Sequence, residues 1–135
     1  MHPSFLINLA PMQRCHEERG EFDLALAAAR RAQFAWLPPA ALDDMAAGLA
    51  KEGAAGYWRT QLQWAKRWDQ QDTHGTYYVA AYMAQTGDID GAFAQLHRAI
   101  DKHDLYLMHL PTDPLFKSLR GDPRWAPTLK RVNLQ

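Results

Sequence analysis

Apolar side chains recur along this chain at steps of three and four, interrupted by short polar clusters and by Gly or Pro. That spacing is one face of a helix, repeated. Alanine is abundant and β-branched residues are scarce, which favours helix again, and no alternating stretch long enough for a strand occurs. The clearest segment is THGTYYVAAYMAQTGDIDGAFAQLHRAIDK, residues 73–102. It predicts a helix from about Gly75 to Gln85, a turn at Thr86-Gly87-Asp88, and a second helix to about Lys102 capped by Asp88. Upstream, RGEFDLALAAARRAQFAW predicts another helix, ended by Pro38-Pro39. Pro11 should kink the segment before it or mark where its helix starts.

A longer period lies over the helical one. Gly20, Gly53 and Gly87 are separated by 33 and then 34 residues. Five residues past each glycine come Ala25, Trp58 and Ala92; twelve past come Ala32, Ala65 and Ala99; seven before the last two lie Ala46 and Ala80. A period of 34 with small residues at fixed offsets is that of tetratricopeptide repeats. Each unit is then a helical hairpin with glycine at a turn needing positive φ, and alanines where two backbones approach. One hairpin cannot bury its own apolar face, so neighbours must stack. The expected units are 6–38, 39–72 and 73–106, with a cap over 107–135, all in one domain. The middle unit departs from the pattern: Trp58 replaces the small residue, so its helices should sit further apart or cross differently.

The stretch from Ala54 to Leu134 is more specific. Gly87-Asp88, Ala92-Phe93, Leu96 and Ala99 are followed by Asp113-Pro114-Leu115-Phe116, Leu119-Arg120 and Asp122-Pro123-Arg124-Trp125. It resembles the C-terminal tetratricopeptide segment of bacterial signalling proteins: winged-helix regulators, Ser/Thr kinases and nucleotide cyclases. The resemblance implies an all-α, right-handed superhelix of about three antiparallel α-hairpins with C-terminal capping helices. It also implies a protein–protein interaction role without catalysis, the chain being the interaction end of a longer regulator or a stand-alone adaptor.

TDPLFKSL and GDPRWAPTL are near-copies of one another. Asp113 and Asp122 are placed to accept first-turn N–H groups, Pro114 and Pro123 supply a preset φ, and Phe116 and Trp125 point inward with Leu119 and Leu129. Arg120-Gly121-Asp122 therefore reads as part of a turn and cap rather than as an adhesion signal. Pro127 should keep the last helix short or kinked at its start.

Two sets of residues are candidates for binding. Helical phase in the third unit offers His74, Tyr77, Ala81 and Gln85 to the concave groove of a repeat array. Tyr77 and Ala81 stand where chaperone-binding relatives use a lysine and an asparagine, so a C-terminal carboxylate is disfavoured and an apolar or extended peptide is expected. On the helix from about Ala54 to Gln70, Trp58, Leu62 and Ala65 form one stripe, and Tyr57, Gln61, Trp64 and Trp68 another. The second stripe packs against neighbouring units or serves a partner, for which aromatics are favoured anchors. Leu6, Ile7 and Leu9 on an open N-terminal face suggest a homodimer.

Composition narrows the rest. Fifteen Lys and Arg balance 15 Asp and Glu across 135 residues. No basic excess exists for nucleic acid or an anionic membrane. Cys15 is the only cysteine, so neither an internal disulfide nor a cysteine-based zinc site can form. Cys15-His16-Glu17-Glu18 gathers ligand types that point different ways on a helix, and reads as a solvated helix end. His97, His103 and His109 lack the i, i+4 pairing of a metal or catalytic motif, and no HExxH, GxSxG, P-loop or GxGxxG occurs. No cofactor, metal or catalytic residue is expected, and a cytoplasmic location is. The competing reading is a small helical ligand-binding protein or enzyme with a Trp/His-lined pocket.

Overall fold

In the computed structural model, residues 9–31, 39–71 and 75–133 are described, and they are helical with no strand among them. The α-helices are α1 (Leu9–Glu18), α2 (Phe22–Arg31), α3 (Pro39–Glu52), α4 (Ala54–Gln71), α5 (Gly75–Gln85), α6 (Ile89–Asp101) and α7 (Trp125–Asn133). Two 3-10 segments, Leu105–His109 and Pro114–Leu119, lie between α6 and α7. No helix among the described residues is long and apolar enough to cross a membrane. The chain divides into two compact units, Met1–Gln61 and Leu62–Gln135.

Among the described residues, the three periodic glycines are the three with positive φ: 76° at Gly20, 68° at Gly53 and 88° at Gly87. Two of the turns are built alike. At Gly20 the Glu21 amide reaches back to the His16 carbonyl at 2.8 Å, and the Ala25 amide opens the next helix on Glu21 at 3.0 Å. At Gly87 the Asp88 amide reaches Met83 at 2.9 Å, and the Ala92 amide opens on Asp88 at 2.9 Å. This is a left-handed glycine satisfying the last carbonyls of one helix while the following residue caps the next. Asp88 adds its side chain, which accepts from the Gly91 amide at 2.9 Å.

The turn at Gly53 is one residue shorter. The Gly53 amide bonds the Leu49 carbonyl at 2.8 Å, and Gly53 itself supplies the carbonyl on which Tyr57 opens α4, at 3.1 Å. The residue equivalent to Ala25 and Ala92 by this bond is therefore Tyr57, not Trp58, and all three are wholly buried. Of the two expected outcomes for this hairpin, wider separation does not occur at its base. The helices meet at Gly48 and Gly56, where a Cβ on Gly48 would lie 2.7 Å from the Gly56 carbonyl oxygen and one on Gly56 would overlap the Gly48 carbonyl. Only two glycines permit that approach.

In the first unit α1 packs on α2 and α2 on α3, around Ala25, Leu26, Ala29, Leu42 and Met45. Phe22 packs against Tyr57 and Trp58, with ring centroids 4.7 and 6.1 Å apart. In the second unit α5 and α6 form the main hairpin, the second 3-10 segment covers α5, and α7 lies on α6. Val79, Ala80, Phe93, Leu96, Ala99 and Ile100 form its centre, closed by Leu115, Phe116, Leu119 and Trp125. Pro11 falls in the first turn of α1, Pro39 opens α3, and Pro127 lies in the first turn of α7, which is nine residues long.

Candidate functional site

The first unit encloses a polar cluster. Glu17 on α1 is buried, and its carboxylate collects four donors. The Tyr57 hydroxyl, Gln13 Nε2 at 3.4 Å and Gln61 Nε2 at 3.3 Å donate to Oε2, while Arg14 Nη1 donates to Oε1 at 2.6 Å. Arg14 also reaches Gln61 Oε1 at 3.3 Å. Burial first, and then the charge and hydrogen bond of Glu17, push the Tyr57 phenol well above the usual tyrosine range. Tyr57 thus stays a donor. The helical spacing of Gln13 with Glu17 and of Tyr57 with Gln61 puts each pair on one helix face, so a single contact between α1 and α4 assembles all four. This corrects the reading of Cys15 to Glu18 as a solvated end: Cys15 and Glu18 are exposed, but Glu17 points into the unit, where Tyr57 and Gln61 meet it. The signal that sequence reasoning missed is that i, i+4 pair of polar side chains on each of two otherwise apolar faces.

The second unit binds its own C-terminal segment. The Asp104 carboxylate accepts from the Tyr77 amide at 3.2 Å in the first turn of α5, and from the Tyr106 amide at 3.0 Å. Nearby, Lys102 Nζ donates to the Thr76 hydroxyl at 3.0 Å. Asp113 caps the second 3-10 segment through the Leu115 amide at 3.0 Å and accepts from the Tyr77 hydroxyl at 2.6 Å. Pro114 stands at the first position of that segment. Gln85 donates to the Leu115 carbonyl at 2.8 Å, and the Ser118 hydroxyl to the Ala84 carbonyl at 3.4 Å. Phe116, wholly buried, lies 5.2 Å from the Tyr77 ring and 6.5 Å from Trp125.

Tyr77 and Ala81, expected to line an open groove, are 0% exposed. Residues 113–119 lie over α5 and take up the Tyr77 hydroxyl and the Gln85 amide that a peptide ligand would have used. His74 lies outside the described residues, as do Leu6 and Ile7. Of the aromatic stripe on α4, Tyr57 is wholly buried beside Glu17, whereas Trp64 is half-buried with the exposed Arg67 guanidinium 4.6 Å from its ring centre. Trp68 belongs to the last turns of α4.

The second Asp-Pro pair is held differently. Asp122 accepts from the Arg124 amide and guanidinium at 2.9–3.0 Å, and Pro123 is exposed. The Arg124 hydrogen bonds hold the Asp122 carboxyl down at about 2. Arg124 extends to Asp90 at 2.7 Å and lies 4.5 Å over the Phe93 ring, pinning the start of α7 to α6. Arg131 repeats the contact further along, to Asp101 at 3.0 Å and His97 at 2.7 Å. Arg120 is turned onto the Asp113 carbonyl at 3.1 Å, so the Arg-Gly-Asp tripeptide is tied down within the cap. The three histidines weighed in the sequence are dispersed: His97 on α6, His103 in the turn after it and His109 exposed at the end of the first 3-10 segment. Among the described residues no group of three His, Cys, Asp or Glu is placed to hold a metal ion. Comparison of the chain with protein-family models, curated proteins and solved structures found no match.

Proposed function

We propose that the chain is a non-catalytic protein–protein interaction scaffold of tetratricopeptide-type hairpins stacked in a right-handed superhelix, the interaction end of a bacterial regulatory protein. The observation that carries this reading is the recurrence of one turn. Gly20 and Gly87, two repeat lengths apart, share a left-handed φ, a back-bond from the next residue, and a wholly buried alanine that opens the following helix. Recurrent hairpins of this kind build extended surfaces for polypeptide partners.

With Tyr57, Tyr77 and Ala81 inside, the partner surface is centred on Trp64 and Arg67. Trp and Arg are the side chains that most often anchor interfaces. A photo-crosslinking amino acid at Arg67 should capture one discrete protein in the native cell, and the same group at exposed Ala27 on α2 should not. Trp64→Ala should then weaken binding of that purified protein by about tenfold or more. Unchanged binding would remove Trp64 from the surface. Saturable quenching of tryptophan emission by a small metabolite would instead favour the ligand-binding reading.

A further inference from the structure

Everything after α6 in the second unit forms an arm, from Asp104 to Asn133. Its grip runs the length of α5, from the Asp104 bond at Tyr77 to the Ser118 bond at Ala84. Yet one tight turn joins it to α6. That turn holds the only non-glycine residue at positive φ among those described, His103 at 57°. Such a conformation brings the Cβ of an L-residue against the following carbonyl oxygen and is strained. Directly after it stand Leu105 and Met108, 72% and 75% exposed, the most exposed large hydrophobic side chains among the described residues. Three residues apart on a 3-10 segment, they share one side.

We propose that two copies of this chain exchange these arms. The turn at His103 straightens, each arm occupies the α5 and α6 faces of the other copy, and the first 3-10 segments of the two arms, brought side by side at the hinges, bury Leu105 with Met108. The side-chain and packing contacts that fix the arm on α5 and α6 are regained in the pair, and only the turn bonds, such as that from the Asp104 amide to the Ala99 carbonyl at 3.0 Å, are given up, so such exchange is a low-cost route to a dimer. Three features tilt the balance towards it: strain at His103 is released, an exposed apolar pair is covered, and zero formal net charge leaves the copies without mutual repulsion. Closure within one chain is favoured by an effective concentration in the millimolar range for so short a connection. The hinge residue therefore decides the state. This inference is independent of the scaffold reading and of the Trp64 surface.

The test uses the full chain with opposed substitutions at one position. His103→Pro cannot adopt the left-handed turn and should give, at micromolar concentration, a helical species of twice the 15.4 kDa chain mass in sedimentation. His103→Gly takes that turn without strain and should remain at the single mass. Adding Leu105→Ser and Met108→Ser to the proline variant should weaken the pair by about tenfold or more. A helical proline variant at the single mass, or proline and glycine variants that behave alike, would overturn the proposal. If the proline variant loses its helical circular dichroism, the wild type decides. Incubated at about millimolar concentration and then diluted, it should retain a double-mass species; recovery of the single mass alone overturns the exchange.

Discussion

Glu17→Ala removes the one acceptor shared by Tyr57, Gln13, Gln61 and Arg14. A buried donor left without its acceptor costs about 1–3 kcal/mol. Arg14 is partly exposed and keeps Gln61 Oε1, and Gln13 keeps the Tyr57 hydroxyl, so the losses do not add and the expected destabilisation is about 1–3 kcal/mol. Alanine is the better helix former, so propensity pulls the other way and cannot produce the loss. Glu17→Gln keeps the shape and an acceptor and should cost about 1–2 kcal/mol. Urea titration followed by far-ultraviolet circular dichroism measures both. A cycle with Tyr57→Phe should show a coupling of about 1–3 kcal/mol, because the hydroxyl bonds the carboxylate directly. A loss below about 1 kcal/mol for Glu17→Ala, the scale of an exposed pair, would refute the buried cluster. Strict additivity would refute its role as a shared acceptor.

Further outcomes follow from the turns and caps. Gly56→Ala should cost about 1–3 kcal/mol in the same titration, because its methyl meets the Gly48 backbone, whereas Gly121→Ala has open space and should change little. Gly87→Ala should cost about 1–2 kcal/mol through its φ of 88° alone. Asp104→Ala strips the first turn of α5 of its distant cap and should cost about 1–2 kcal/mol, read as faster hydrogen exchange at the Tyr77 amide. Carboxyl carbon resonances should place the Asp122 midpoint near 2, against an ordinary 3.8, and Arg124→Ala should move it up toward that value. Since the folded value is the depressed one, the stabilising contribution of Asp122 is complete above 3.8 and fades as pH falls toward about 2.

What the sequence disclosed was local. Gly20, Gly53 and Gly87 could be placed because a left-handed turn is a requirement on one residue, and Asp88 and Asp113 because a cap reaches only two or three positions. The register of α4 could not be read. Counting from Gly53 aligns Trp58 with Ala25 and Ala92, but the shorter turn puts Tyr57 in that place, and only hydrogen bonds reveal it. Nor could the fate of Tyr77 and Ala81 be read from helical phase. Phase says which residues share a face, while the path of residues 104–119 decides whether that face is open. Glu17 escaped for the same reason, since its partners Tyr57 and Gln61 lie 40 and 44 positions away.

The carboxylate that caps α5 arrives late. As the chain leaves the ribosome, the Tyr77 amide waits for an atom 27 residues downstream. At about 5–20 residues per second that interval is roughly one to five seconds. Until then the nascent helix lacks the carboxylate that its Tyr77 amide meets in the folded chain. A message truncated ahead of Asp104 would yield a hairpin that keeps this defect permanently, and quality-control proteases would find it frayed at its first turn.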